Sequence, residues 1–239
     1  MKIDANGTNH ADAGKATEPG ADIDAILGVN PAPQREARGR SSTIPLSGNP
    51  RHVRRPVRRL FVNALRAKNA ADALAGLPAD GETWHCLMTG EYDGFDLLPA
   101  MLDHARPAPI EDLYLATLGF NAANVRRLLE LMDAGAVRRC AMIVSLFYEA
   151  DHNEADTCYM LARELPARGG WYCATRSHAK IIAARFADGR YFVIESSANL
   201  RTCRNLEQFA ITQDRGLFDF HREWMESVHE HEARRTSRD

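Results

Sequence analysis

The stretch Ser177–Leu200, SHAKIIAARFADGRYFVIESSANL, decides the reading of this chain. Two apolar runs, Ile181–Phe186 and Tyr191–Ile194, flank Asp188-Gly189, a dipeptide that tolerates positive φ, and the pattern predicts a β-hairpin. With a two-residue loop, Ala187 faces Arg190; counting back then puts Lys180 opposite Ser197 and His178 opposite Asn199. Alternate residues share one face of a strand, and directly opposed residues have Cβ atoms about 4.5–5.5 Å apart. Four polar side chains are therefore expected to converge on one patch, a register that a three- or five-residue loop would slip. A cation, two hydrogen-bond donors and an imidazole together suit a tetrahedral oxyanion with a nucleophile or proton carrier beside it.

Outward from the hairpin, strand-like and helix-like segments alternate. Thr83–Thr89, Asp112–Leu118, Arg139–Phe147 and Trp171–Ala174 read as strands. Phe95–His104, Ala122–Ala134 and Glu154–Leu165 read as helices between them. The hairpin breaks this alternation, and a strand at Gln208–Thr212 and an amphipathic helix over Leu217–Arg234 follow it. The fold class is α/β, a mixed sheet with parallel neighbours joined by helical crossovers.

The segment 1–50 is rich in Gly, Ala, Pro, Ser, Asn and charge, with few large apolar groups, and is expected to be a largely disordered arm. Residues 51–80 read as a basic linker leading into a helix over about 55–75, and 81–235 as the folded domain. Arg51, Arg54, Arg55, Arg58 and Arg59 cluster with little opposing acid, which suits either a solvated linker or contact with nucleic-acid phosphates. The whole chain carries a formal charge of −2 and is 45% hydrophobic, so it holds a core but makes no global case for a polyanionic partner. No run is apolar enough to span a bilayer, and the first residues lack a signal-peptide core. Five scattered cysteines without C-x-x-C fit reduced thiols. A cytoplasmic location without stable membrane association is the expectation.

The spacing His178-x-Lys180, then Ser196-Ser197-x-Asn199, then Asn205-x-Glu207 resembles the signature of the phospholipase D superfamily. That signature runs His-x-Lys, an aspartate after four more residues, Gly-Ser-x-Asn, and an acidic residue shortly afterwards. The likeness spans roughly Thr83 to Glu226 and implies a phospholipase D-like mixed sheet flanked by helices, a single half-domain per chain. Arg185 stands where the pattern has its aspartate, and Ser196 where it has glycine. By this resemblance His178 attacks phosphorus to give a phosphohistidine, while Lys180 and Asn199 hold the phosphoryl oxygens. Ser197 adds a hydroxyl contact and Glu207 orients a histidine. Neither metal nor other cofactor is implied.

The mechanism needs two histidines and the chain has one motif, because His52-Val-Arg54 and His104-Ala-Arg106 lack a matching Ser-x-Asn. A homodimer sharing one site across a two-fold axis is the consequence. The activity expected is that of a phosphodiesterase (a hydrolase), a nuclease acting on DNA or RNA. The alternatives are a phospholipase or phosphatidyl transferase, and a non-catalytic nucleic-acid-binding or scaffold module on a degenerate fold.

Other polar clusters have plainer readings. Asp151–Asp156 is a helix start with acids near the positive end of the dipole. His229 and His231 do not share a helix face and sit on a solvated helix end. Asn121 is an N-cap after the Gly119-Phe120 turn. Trp171 and Tyr172 suit either core packing or stacking on a base near the site.

Overall fold

Both runs of the hairpin lack the alternation of a half-solvated strand, as expected where a sheet is covered on both faces. The computed structural model describes residues 58–62, 70–88, 92–150, 155–201 and 205–236, all within one unit, Ser41–Asp239. It contains an eight-stranded mixed sheet. The strands are β1 (Arg58–Val62), β2 (Glu82–Met88), β3 (Ile110–Thr117), β4 (Cys140–Ser145), β5 (Trp171–Thr175), β6 (Ile181–Phe186), β7 (Tyr191–Ser196) and β8 (Glu207–Gln213). Helices α1 (Ala70–Ala73), α2 (Leu97–Ala105), α3 (Ala122–Asp133), α4 (Leu146–Glu149), α5 (Ala155–Ala167) and α6 (Arg215–Thr236) connect or flank them, with a 3-10 turn at Gly94–Asp96 leading into α2.

The sheet order is β1-β2-β8-β7-β6-β3-β4-β5. Strands β3, β4 and β5 are parallel, as are β1 and β2, whereas β2-β8-β7-β6-β3 pair antiparallel. One face packs Ile182, Ala184 and Ile194 against α2, α3 and α5, with Phe95, Met101, Leu128 and Leu161 buried among them. The other packs Ile181, Ala183 and Val193 under Phe218, Met225 and Val228 of α6. Neighbouring residues of β6 thus serve opposite cores, and this is why its sequence reads as one apolar run.

Polar contacts fasten α6 to the sheet. Tyr114 Oη donates to Glu226 at 2.5 Å and Thr175 Oγ1 to Glu232 at 3.1 Å. The His221 ring meets the Glu195 carboxylate at 3.1 Å and accepts from Trp224 Nε1 at 3.0 Å. His229, expected on a solvated end, is instead stacked on Trp171 with ring centroids 4.3 Å apart.

Two expectations change. The helix expected over 55–75 is preceded by a strand: Arg58–Val62 pairs parallel with β2, and helix in that range is confined, among the described residues, to Ala70–Ala73. Arg-Arg-Leu-Phe-Val is too short, and lacks the alternation, to separate strand from helix by pattern, and pairing with β2 decides it. The hairpin register is also displaced by one residue. Arg185 faces Tyr191 and Ile181 faces Glu195, because the loop has three residues, Ala187–Gly189. Gly189 N donates to Phe186 O at 3.0 Å, Phe186 N to Arg190 O at 2.9 Å, and Gly189 takes φ of 86°. That left-handed residue after a turn defines the three-residue hairpin loop with its bulge, which Asp-Gly also permits.

Candidate active site

The strand directions bring one end of the sheet into focus. The carboxyl ends of β3, β4, β5 and β7 and the amino ends of β6 and β8 all lie along this edge. His178 and Lys180 precede β6, Ser197 and Asn199 follow β7, and Glu207 opens β8, so the topology gathers all five candidates at one edge.

The slipped register changes their partners. Ser196, not Ser197, stands across from Lys180, with Ser196 N donating to Lys180 O at 3.1 Å. The expected face-to-face pairs Lys180–Ser197 and His178–Asn199 are therefore not cross-strand neighbours, since a shift of one residue exchanges the faces. What forms is a chain of contacts. The Lys180 ammonium donates to His178 Nδ1 at 2.9 Å and to His178 O at 2.9 Å. The Ser197 hydroxyl donates to Glu207 through a very short hydrogen bond and accepts from Gln208 N at 3.0 Å. Glu207 acts electrostatically on Lys180 and counters the burial that lowers the lysine's pKa. His178 is held below its ordinary pKa, first by partial burial and then by the Lys180 charge.

Since an ammonium can only donate, Nδ1 of His178 accepts and the proton of the neutral ring resides on Nε2. Glu207, assigned by resemblance to orienting a histidine, accepts a hydrogen bond from the Ser197 hydroxyl within this chain.

Asn199 is partly buried, and its side-chain Oδ1 is buried with no hydrogen-bond partner. A small hollow beneath Lys180 is lined by Gly94, Leu97, Ser196, Ala198 and Leu200. Ser196, where the motif has glycine, ties the bend: its hydroxyl donates to Gln208 O at 3.0 Å and accepts from Ala198 N at 2.9 Å. Arg185 points to the far end of the hairpin, where its Nε donates to Asp112 at 2.6 Å across the β3–β6 register. Arg139 binds the same carboxylate.

Of the arginine cluster, Arg51, Arg54 and Arg55 lie outside the described residues, and Arg58 and Arg59 are the first two residues of β1. Trp171 and Tyr172 begin β5, at the opposite end of that strand from the Thr175 edge, and serve packing: Trp171 stacks on His229 and Tyr172 Oη donates to Glu149 at 3.1 Å. The Asn121 cap is present, accepting from Asn124 N at 2.8 Å. The helix start at Asp151–Glu154 lies outside the described residues.

Two features of this edge were missed. Arg201, two residues past Asn199, places its guanidinium over the Tyr148 ring, 5.8 Å from the centroid. Asn124 sits on the buried, otherwise apolar face of α3 with Val125, Leu128 and Met132. A polar residue at that position of the amphipathic pattern was a readable signal.

No protein-family model matches the chain, and no curated protein matches it significantly. Among solved structures it is similar to a polyphosphate kinase from Porphyromonas gingivalis, at 14% identity and a TM-score of 0.40 over 54% of this chain and 23% of the kinase. It is also similar to Nuc, a phospholipase D family member from Salmonella typhimurium, at 14% identity and a TM-score of 0.39 over 51% of this chain and 80% of Nuc. The chain therefore spans about a quarter of the kinase's length. Overlaps of this extent are partial.

Proposed function

We propose that this chain is a phosphodiesterase that cleaves nucleic acid through a phosphohistidine at His178, with two chains sharing one site. The observation that carries the reading is the Lys180 ammonium held against the His178 ring, at the sheet edge where Ser197, Asn199 and Glu207 also lie. Partial burial and then the positive charge favour the neutral imidazole, and the charge is itself available to a phosphoryl oxygen.

In the reaction proposed, the substrate phosphate draws Lys180 from Nδ1. Nδ1 can then hold the ring proton while the Nε2 lone pair attacks phosphorus and the P–O bond to the leaving group breaks. A second histidine, from the partner chain, protonates the departing oxygen. Water then attacks the phosphohistidine, giving its proton to that second histidine and returning His178. In this reading Glu207 of one chain orients the partner's histidine while holding Ser197. Arg201 and the arginines preceding β1 suit neighbouring phosphates of a polyanionic substrate.

The test is cleavage of DNA and RNA by purified protein in the presence of EDTA. Activity is expected to persist with chelator and to fall at least about 10⁴-fold in His178→Ala. Sedimentation of the active species should give a dimer mass. Absence of cleavage of DNA, RNA and bis(p-nitrophenyl) phosphate by wild-type dimer would favour the non-catalytic module. Loss of activity with EDTA would instead overturn the metal-independent mechanism. To examine the arginines without disturbing β1, Arg51, Arg54 and Arg55 can be replaced by alanine together; salt-dependent DNA binding should weaken.

A further inference from the structure

We infer that Thr117, Asn124 and Gly94 form a clamp on the Asn199–Leu200 peptide that aims the Asn199 side chain at the bound phosphoryl group. The inference rests on the phosphodiesterase reading and adds three positioning residues that the motif does not contain.

Each polar group of the Leu200 backbone is gripped by a separate element. Leu200 N donates to Thr117 Oγ1 at 3.2 Å, at the end of β3. Leu200 O accepts from Asn124 Nδ2 at 2.7 Å, in the first turn of α3, and from Phe95 N at 3.1 Å, in the 3-10 turn. Gly94 closes the clamp sterically: a Cβ there would lie 2.3 Å from Asn199 O and 3.2 Å from its carbonyl carbon. That approach is closer than any side chain allows, so backbone must run directly against backbone.

The donors of the clamping side chains have no capacity left for a ligand. Thr117 is fully buried, and its hydroxyl donates to Gly119 O at 2.9 Å while accepting from Gly119 N at 3.3 Å and from Leu200 N. One donor and two lone pairs are thereby spent. Asn124 divides its two amide hydrogens between Leu200 O and Asp93 Oδ2, the latter at 3.1 Å. Asp93 is steadied in turn by Asn121 Nδ2 at 3.3 Å. Thr117 and Asn124 are therefore unsuited to touching substrate and suited to holding what does.

The contrast lies one residue away. The Asn199 side chain projects from backbone held by this network, and its Oδ1 is buried without a partner. A rigid backbone beneath a side-chain amide whose NH2 can donate to a phosphoryl oxygen is what preorganised stabilisation of a phosphoryl transition state requires.

Thr117→Val keeps the shape and removes the hydroxyl, Thr117→Ser restores it, and Asn124→Ala removes the second grip. Circular dichroism melts establish which variants fold. Calorimetric titration with orthovanadate and kinetics with bis(p-nitrophenyl) phosphate are then compared with wild type. Thr117→Val and Asn124→Ala should each weaken vanadate binding and lower kcat by about tenfold or more, with KM within about twofold, as loss of an interaction made in the transition state demands. Thr117→Ser should stay near wild type. If Thr117→Val does not fold, Asn124→Ala decides. Vanadate binding unchanged in the folded variants, or Thr117→Ser falling as far as Thr117→Val, would overturn the clamp and leave the phosphodiesterase reading standing. A wild-type protein that neither binds vanadate nor cleaves the diester would overturn that reading, and the clamp with it.

Discussion

His178 and Lys180 are separated by one residue and joined by two hydrogen bonds from the same ammonium. The pair explains how a histidine at a polar edge is kept unprotonated near neutral pH. Partial burial depresses its pKa most, and the lysine charge depresses it further. A histidine with a lowered folded pKa binds fewer protons than its unfolded counterpart, so stability falls as pH drops below the unfolded value of about 6.5 toward the folded one. In a ring-proton NMR titration, His178 should show its midpoint below 6.5. In Lys180→Met the midpoint should move upward without fully reaching the ordinary value, because burial remains. A midpoint that does not move would assign the depression to burial alone. The identities of these two residues, and of Ser197, Asn199 and Glu207, were legible as motif spacing. Their mutual contacts were not, because those depend on a loop length that Asp-Gly leaves open between two and three residues.

The hairpin is held at both ends by different means. At the site end Ser196 and Ser197 bind the backbone and side chain of β8; at the loop end Arg185 is paired with Asp112 on the neighbouring strand. The residue that departs from the motif thus has a structural partner of opposite charge. Restoring the motif by Arg185→Asp would set two carboxylates directly across the β3–β6 register, where like charges repel. Arg139 still faces Asp112 and softens the loss, so the expected destabilisation is about 2 kcal/mol. Thermal unfolding should show it as a fall of roughly 4–8 °C; an unchanged or raised melting temperature would mean the pair contributes nothing. The longer helices of this domain were readable from periodicity, since each buries one face, and the central strands from their continuous apolar runs. Strand β1 was not, because five residues pairing at a sheet edge owe their conformation to β2 more than to their own pattern.

Across the whole molecule, the two faces of the sheet support different tasks. One side carries the longer core and the clamp on the Asn199 backbone; on the other, among the described residues, α6 covers the sheet, fastened through Glu226, Glu232 and His221. Cys86, Cys140, Cys158 and Cys173 are all free thiols buried within these layers. Burial pushes the Cys86 and Cys173 thiols up to about 12 and raises Cys140 as well. These four should resist iodoacetamide at pH 8 and react on denaturation, with mass spectrometry of labelled peptides as the readout. Rapid native labelling of any of them would contradict the packing. No helix among the described residues is long and apolar enough to cross a membrane.

Strand β8 is the last strand in chain order, yet it lies between β2 and β7. Strands β1 and β2 therefore reach the rest of the sheet only through a segment made more than a hundred residues later, and Glu207 arrives with it. Contacts this distant in sequence form slowly. During synthesis, a chain already carrying His178 and Lys180 would still lack the strand that completes their surroundings. The threading of one late strand through the middle of the sheet thus acts as a timer: the reactive edge is assembled only when nearly every other element is in place.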